Sequence, residues 1–330
     1  MSLHAPVQFL SGARYVLPEV ACGTVARVHP DYPTIYEENA AWVAEFLPVP
    51  GAEAMALLME RRYPMWDCLC FPTGRSRRVS TISRLTSLMF EVDDVGALER
   101  ALVDDIAGEG GADHPYTRAF ADLDRDLRRD MPPKVYRRHR QAWRDWFGSM
   151  LRENRHRQCL EIPPLEDFLA LRRISSGLLP YVVITEYHLG LDLSDMLDGD
   201  DELNELGPAA VEHMMLVNDL FSYRAEVFRG DNLNAVAVLL ADGARSLQDA
   251  VDTLAGMIGE ADAAIEALSA KLAARYADPA VRAYIDALRA FCAGNLRWSL
   301  ETTRYIGHGN AWNGRRSGTV VLHPRRTIIE

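Results

Sequence analysis

The chain has 330 residues, of which 48% are apolar and 25% charged, and this is the composition of a soluble globular protein with a sizeable core. Its formal net charge of -11 argues against a nucleic-acid or anionic-membrane surface, because both favour a basic face. The five cysteines suggest no disulfide framework, no leader is recognisable, and no apolar run approaches the roughly 18 residues of a membrane span. We therefore expect a cytoplasmic, reduced protein without a membrane span or a nucleic-acid partner.

Helical periodicity dominates the chain, and no convincing series of alternating strands is present. In chain order, the predicted helices are 34–45, 53–62, 80–94, 95–106, 115–130, 133–157, 165–177, 180–188, 208–229, 246–274 and 279–305. Neither a repeat nor a linker divides the chain. The prediction is an all-α protein with one domain over residues 28–305, an N-terminal segment over 1–27 and a tail over 306–330.

The predicted helix 208–229 carries a polar row on an apolar face. Met214, Asn218, Ser222 and Glu226 are spaced by four residues, so each step moves only about 40° around the helix axis. An inward amide, hydroxyl and carboxylate must find partners away from water. A hard cation such as Mg²⁺ prefers such oxygen ligands, but hydrogen bonds to neighbouring helices would also satisfy them. The row alone leaves both interpretations open.

A second acidic position ends the predicted helix 80–94. Leu85, Met89 and Asp93 form another row at four-residue spacing, and Asp94 follows directly. Adjacent carboxylates without a basic neighbour repel each other unless a divalent ion bridges them. A solvated helix end is the alternative interpretation of the same pair.

These segments resemble the metal motifs of class I terpene synthases. NDLFSYRAE resembles the family's Asn-Asp-x-x-Ser-x-x-x-Glu motif, and FEVDDV resembles its aspartate-rich motif, 125 residues earlier when Asp93 is compared with Asn218. HPDYPTIYEENAAWVAEF, LRRISSGLLP, RGDNLNAV and WSLETTRY resemble further segments of bacterial members. The resemblance covers roughly residues 28–305.

The resemblance implies a single-domain helical bundle around an apolar active-site cavity. It implies a class I terpene cyclase that ionises and cyclises a linear isoprenyl diphosphate, farnesyl or geranylgeranyl diphosphate, to a sesqui- or diterpene with release of diphosphate. Three Mg²⁺ ions are expected by resemblance. Their implied ligands are Asp93, Asp94, Asn218, Ser222 and Glu226.

The aspartate motif departs from the family pattern at its third acid, which is missing or displaced to Glu99. Asp93 is therefore the principal ligand implied on this side. In the family, the position of Asp94 more often makes a closing salt bridge to arginine.

The remaining implied site residues act on the diphosphate, whose departure needs metals and arginine forks to stabilise its charge. Arg173 resembles the family's diphosphate sensor, with Arg172 as the less favoured neighbour. Gly177 matches the residue whose backbone carbonyl is proposed to push on the ionising carbon. Arg304 and Tyr305 match the pair that hydrogen-bonds diphosphate when the site closes.

Several aromatic side chains could wall the apolar pocket and stabilise carbocations through their π faces, although core packing accounts for them equally well. These are Phe90, Tyr181, Tyr187, Phe221 and Trp298, with Trp66 and Phe71 as further candidates. Cys68 and Cys70 lack a second pair of zinc ligands at finger-like spacing, so buried thiols are expected there.

Two other functions remain open from the sequence. An isoprenyl diphosphate synthase joins two isoprenoid units, but it normally has a second aspartate-rich motif where this chain has the polar row. A non-catalytic isoprenoid-binding protein of the same fold is the other alternative. The family resemblance also allows a homodimer. A protonation-initiated class II cyclase is disfavoured because the chain has no Asp-x-Asp-Asp motif.

Overall fold

A computed structural model describes residues 11–94, 115–159 and 161–330 as an all-α bundle with one small strand pair. The first helices are α1 (Tyr32–Phe46), α2 (Gly51–Glu60), α3 (Tyr63–Cys70), α4 (Ser76–Asp94), α5 (Pro115–Asp130), α6 (Pro133–Cys159) and α7 (Leu165–Ser175). The later ones are α8 (Leu179–Leu189), α9 (Ser194–Gly199), α10 (Asp201–Val227), α11 (Ala235–Ala241), α12 (Leu247–Arg275), α13 (Pro279–Glu301) and α14 (Thr303–Ile306). The all-α prediction is confirmed, and the predicted helix 95–106 lies outside the described residues.

Helix α10 runs through the centre of the bundle and packs against α12 and α13. Its apolar side chains, such as Met214, Val217 and Leu220, are buried. Helix α7 and the short α11 also contact α10 near the polar row. Burial of apolar area at about 25 cal/mol per Å² makes this packing the main stabilising contribution to the helix.

The predicted start of α10 at Pro208 was wrong, because the helix begins seven residues earlier. The side chain of Asp200 caps it by accepting hydrogen bonds from the backbone N–H groups of Glu202 and Leu203, at 3.0 and 3.2 Å. This cap satisfies donors that the first turn leaves unpaired. Pro208 is therefore accommodated inside the helix.

The predicted helix 279–305 is divided in the structure at Thr302. The Thr302 hydroxyl donates to the Arg61 carbonyl at 3.0 Å and accepts from the backbone N–H of Arg304 at 3.2 Å. Thr302 thus ends α13 and caps α14, which carries Arg304 and Tyr305. Three short helices, α3, α9 and α11, were not predicted, since six to eight residues show little periodicity.

The two ends of the described chain pair with each other. Strand β1 (Arg14–Leu17) runs antiparallel to β2 (Gly318–Val321), and Arg14 lies opposite Val321. The tail is also held by Arg224 of α10, which donates to the carbonyls of Tyr305 and Pro324. The sequence did not predict this strand pair, because four-residue strands carry too little alternation to recognise.

One stretch, Leu165–Leu189, reaches a mean hydropathy of 1.3 over eighteen residues, which by length and composition alone would suit a membrane span. In the structure this stretch is broken between Ser175 and Leu179 into α7 and α8. Both helices pack against α6 and α10. Core helices of globular proteins have the same composition, so the stretch is weak support for a membrane segment.

Candidate active site

A cavity of about 320 Å³ lies between α4, α6, α7, α10, α13 and α14. One group of lining side chains is apolar or aromatic and comprises Trp66, Met89, Phe90, Trp146, Met150, Leu178, Leu233 and Trp298. The other group is charged and comprises Asp93, Glu153, Glu226, Asp231, Arg157, Arg172, Arg229 and Arg304. Asn218 and Tyr305 also line it. The cavity therefore combines a surface for hydrocarbon with a surface for a charged group.

The polar row of α10 meets this cavity. The Asn218 side-chain carbonyl accepts from Nη2 of Arg172 at 2.8 Å, and its amide nitrogen donates to the Tyr305 hydroxyl at 2.5 Å. Asn234 donates to Ser222 Oγ at 3.3 Å and to Glu226 Oε2 at 2.9 Å. Asn218 and Glu226 line the cavity, while Ser222 is buried beside them. The row thus presents amide, hydroxyl and carboxylate oxygens together, which is the donor set that a hard divalent cation prefers.

The raised pKa values of two buried carboxyl groups, Glu226 and Asp219, also favour a bound cation. Burial, and to a smaller extent the neighbouring Asp219 carboxylate, raise the pKa of Glu226 to about 7 against the opposing effect of Arg172. Asp219 is itself 1% exposed, and burial also raises its pKa. Buried carboxylates in one place are stabilised in their charged form by a cation. The donor set and its charge therefore fit a divalent metal.

Asp93 lies across the cavity at the end of α4. Its side chain is 49% exposed, and one carboxylate oxygen lies 3.7 Å from Nη2 of Arg304. Asp94 is the last residue of α4, but its side chain is outside the described part of the chain, as is Glu99. Of the predicted acidic motif, Asp93 is the member that the structure places at the cavity.

The sequence favoured Arg173 as the diphosphate sensor, whereas the structure places its neighbour Arg172 at the cavity. Arg173 is 47% exposed, is absent from the cavity lining, and forms a salt bridge with Glu212 at 2.6 Å. Arg172 is 14% exposed and lines the cavity. It donates from Nε and Nη2 to Asp219 at 2.9 and 2.8 Å.

The helical phase of α7 explains this difference. Phe168 is buried and precedes Arg172 by four residues, so both side chains lie on the inward face. Arg173 is rotated by a further 100° or so toward solvent. The four-residue spacing between the apolar Phe168 and Arg172 is the signal in the sequence that would have placed Arg172 on the inward face.

The predicted break after Arg173 is present, and it contributes to the cavity wall. Helix α7 ends at Ser175, whose carbonyl accepts from Nε1 of Trp146 at 3.0 Å. Gly177 follows with a φ of 72°, a left-handed conformation that glycine adopts without strain. Ser176 and Leu178 line the cavity on either side of Gly177, which is not itself part of the lining.

Arg304 and Tyr305 lie together on the short helix α14. Arg304 is 10% exposed, donates to the Tyr63 hydroxyl at 3.1 Å, and places its guanidinium 4.9 Å from the ring centre of Phe90. Tyr305 is buried, which raises the pKa of its hydroxyl, so the group is a hydrogen-bond donor at neutral pH. The pair lies close to both Asp93 and Asn218.

The aromatic predictions were partly confirmed. Trp66, Phe90 and Trp298 line the cavity, whereas Phe71, Tyr181 and Tyr187 are buried in the core away from it. Phe221 lines a different depression beneath the C-terminal tail. The buried cysteines Cys68 and Cys70 are free thiols, as expected.

Four charged cavity residues were missed, namely Glu153, Arg157, Arg229 and Asp231. Arg157 bridges Glu153 at 3.1 Å and Asp231 at 3.0 Å. Glu153 and Arg157 are four residues apart on α6, and Asp231 lies in the RGDNLNAV segment that already resembled the family. The segment match would have indicated Asp231, but α6 is rich in arginine on several faces and did not single out Arg157.

Comparisons with known proteins agree with this geometry. The family model described as terpene synthase family 2, C-terminal metal binding, matches residues 90–262, more than half of the chain. The chain is similar to (E)-2-epi-beta-caryophyllene synthase of Selaginella moellendorffii, with 27% identity over 96% of this chain and 92% of the relative. It is also similar to (+)-eremophilene synthase of Sorangium cellulosum, with 26% identity over 86% and 90%.

A solved structure shows the same fold. The linalool/nerolidol synthase of Streptomyces clavuligerus, in complex with 2-fluorogeranyl diphosphate, superposes with a TM-score of 0.75 at 20% identity. The match covers 83% of this chain and all of that one. With the helical bundle, the oxygen-rich row and the family match all in agreement, the chain belongs to terpene synthase family 2 and is a class I terpene synthase.

Proposed function

We propose that the enzyme converts the C15 substrate farnesyl diphosphate to a cyclic sesquiterpene, with Mg²⁺ as its metal. The observation that carries this proposal is the meeting of the Asn218–Ser222–Glu226 row, two arginines and an aromatic wall at one cavity. A charged diphosphate and an apolar chain need these two surfaces side by side. The volume of about 320 Å³ is near the lower end for ligand pockets, which favours C15 over C20. The two relatives named above carry the names of C15 products.

The residues that would hold Mg²⁺ are Asn218, Ser222 and Glu226 on one side and Asp93, with Asp94, on the other. Three ions remain the expectation from the family resemblance. When bound, Mg²⁺ supplies Lewis-acid stabilisation of the charge that develops on the departing diphosphate. Glu226 would be held in its carboxylate form beside such a cation, because a nearby positive charge opposes the effect of burial on its pKa.

The diphosphate would be held by Arg172, Arg304 and Tyr305. Arg172 donates a fork of N–H groups from the α7 side of the cavity, and Arg304 and Tyr305 donate from α14. Charge-assisted hydrogen bonds from arginine are about twice as strong as neutral ones. Because these donors replace water around the leaving group, they favour its ionisation.

The hydrocarbon chain would lie against Trp66, Phe90 and Trp298. These rings exclude water and present their π faces to a carbocation. The family resemblance implies no protein nucleophile in this reaction. The backbone carbonyl of Gly177 remains our candidate for the group that faces the ionising carbon of the substrate. Its two neighbours, Ser176 and Leu178, line the cavity.

The test is incubation of the purified enzyme with Mg²⁺ and, separately, the C10, C15 and C20 linear diphosphates, followed by gas chromatography and mass spectrometry. We expect a cyclic product from the C15 substrate alone. A cyclic product from the C20 substrate would refute the proposal that the substrate is the C15 diphosphate. Longer diphosphates formed only with added C5 diphosphate would indicate a prenyl synthase, and no metal-dependent consumption would indicate a binding protein.

Two variants test the metal row. Asn218→Leu and Glu226→Gln should leave the fold intact but lose at least about 10²-fold in turnover, comparable to the loss of a main electrostatic contact. Arg173→Gln is the matched control, because Arg173 lies outside the cavity. Normal product formation by either row variant would remove that residue from the mechanism.

A further inference from the structure

A second cluster of ligand-type side chains lies outside the active-site cavity. Cys22 precedes α1, His213 is on α10, and Asp262 is on α12. The Cys22 sulfur, one His213 ring nitrogen and one Asp262 carboxylate oxygen all lie within 4.8 Å of one another. None of the three lines the active-site cavity. Three elements distant in sequence therefore bring a thiol, an imidazole and a carboxylate to one point.

The hydrogen bonding of the His213 imidazole leaves one ring nitrogen available as a metal ligand. The residue is 0% exposed, and its Nε2 lies 3.2 Å from the carbonyl oxygen of Ala21. In the tautomer that donates Nε2–H to this carbonyl, Nδ1 carries a free lone pair. Nδ1 is buried and has no hydrogen-bond partner among the described residues. Metal-bound histidines characteristically donate their second ring N–H to such an acceptor.

The carboxylates around the cluster favour a cation. Asp262 accepts from the backbone N–H of Gly23 at 3.0 Å and has no salt-bridge partner in the described ranges. The nearby Glu266 is neutralised by Arg289, with contacts of 2.6 and 2.9 Å. A Cβ on Gly23 would lie 2.6 Å from the carboxyl carbon of Glu266, so glycine lets the segment approach α12 closely. The uncompensated charge of Asp262 is thus the one that a cation would neutralise.

The Cys22 thiol is protonated in this environment. Burial raises its pKa to about 11, and Asp262 and Glu266 act in the same direction, against the backbone of Thr24 and the charge of Arg316. The same negative charges that disfavour the thiolate favour a metal bound to it.

We propose that Cys22, His213 and Asp262 form a zinc-type site that ties the segment before α1 to α10 and α12. Zinc accepts sulfur, nitrogen and carboxylate oxygen together in tetrahedral geometry, whereas Mg²⁺ selects oxygen. The fourth position is filled by water or by Glu266 after release from Arg289. Cys22 and Asp262 are partly exposed, which gives the ion a path from solvent. The site is structural and separate from the proposed catalytic metals.

The test is a titration of the full-length protein with Co²⁺, in reductant and excess Mg²⁺ so that oxygen-ligand sites are already filled. Thiolate coordination gives a near-ultraviolet charge-transfer band, which reports this site and not the active site. We expect the band to saturate at one Co²⁺ per chain in the wild type and in Cys159→Ser, which removes an exposed cysteine elsewhere. Cys22→Ser should abolish it, and Asp262→Asn should weaken the affinity at least about tenfold.

Stability supplies an independent measurement. Saturating Zn²⁺ should raise the Tm of the wild type by about 2–4 °C and leave that of Cys22→Ser unchanged. Because Cys22 is partly exposed and outside every helix, this variant should fold, and retained terpene synthase activity verifies it. A charge-transfer band that persists in Cys22→Ser would overturn the site. Equal metal content in the wild type and in Cys22→Ser would also overturn it.

Discussion

The choice between Arg172 and Arg173 gives the sharpest test of the active-site geometry. The two residues are adjacent and chemically identical, but the first is 14% exposed at the cavity and the second is 47% exposed and paired with Glu212. Arg172→Gln and Arg173→Gln therefore form a matched pair. Any general effect of losing a positive charge on α7 is the same in both.

The two substitutions should differ in stability. Arg172 neutralises the Asp219 carboxylate, which is 1% exposed and otherwise bonded to the backbone N–H of Ala235 at 2.8 Å. Removing one partner of a buried pair leaves an uncompensated charge and costs about 3–5 kcal/mol. Arg173 and Glu212 are partly solvated, so breaking that pair costs less than about 1 kcal/mol. Thermal unfolding should therefore separate the two variants.

Turnover should differ even when both proteins are folded. Loss of one preorganised donor to a developing anion costs about 10²–10³-fold in rate. We expect this loss for Arg172→Gln and less than about twofold for Arg173→Gln, measured as diphosphate release at a temperature well below both melting points. The double variant Arg172→Gln/Asp219→Asn, which removes both buried charges, should recover stability but not activity.

This design separates catalysis from folding. A recovered melting point with persistently low turnover assigns the loss to the missing donor. If Arg173→Gln lost activity while Arg172→Gln kept it, the assignment of the cavity-facing arginine would be refuted.

Three further predictions concern single positions. Tyr305→Phe removes the hydroxyl that accepts from Asn218 and that would donate to the diphosphate. Turnover should fall about 10–100-fold, as expected for a hydrogen bond to a charged group, and a kinetic assay of diphosphate release checks this. Gly177→Ala forces a residue with a side chain to adopt a φ of 72° and places a Cβ 3.1 Å from Nε1 of Trp146, so chemical denaturation should show a loss of about 1–2 kcal/mol. Burial lowers the pKa of His188 to about 4 from its usual 6.5, so the unfolded state binds more protons between these values. His188 alone should then lower the stability by about 3 kcal/mol as pH drops from 6.5 to 4. Buried His139, whose pKa is lowered to about 3, acts in the same direction, so His188→Leu should reduce the slope of that part of the pH profile without removing it; an unchanged slope would contradict the prediction.

Much of the site was predictable because its motifs carry local spacing. The four-residue interval of Asn218, Ser222 and Glu226 predicts one helix face, and the structure places these residues on one side of α10. Asp93 reaches the same cavity from a helix 125 residues earlier, a relation that only the family resemblance could supply. Spacing within a helix is physical information, whereas proximity between helices depends on how the bundle packs.

The errors have the same origin. Local pattern did not decide between two adjacent arginines, because the inward face of an eleven-residue helix depends on its neighbours α6 and α10. The start of α10 was missed because a proline was taken as a first-turn residue, where proline is common. Asp200 caps the helix earlier in the chain, so the helix begins before Pro208 and continues past it.

The central helix α10 also determines how the C-terminal region meets the cavity. Asn218 contacts the Tyr305 hydroxyl, and two turns later Arg224 donates to the Tyr305 carbonyl at 2.6 Å. Arg224 is 5% exposed and also binds the Thr327 hydroxyl at 2.8 Å, so it bonds neutral oxygens instead of a carboxylate. Burial, together with the neighbouring charge of Arg229, lowers the pKa of Arg224 to about 10. Helix α10 thus contacts Tyr305 at both its hydroxyl and its backbone carbonyl. The position of this proposed diphosphate donor therefore depends on the packing of the tail as well as on the polar row.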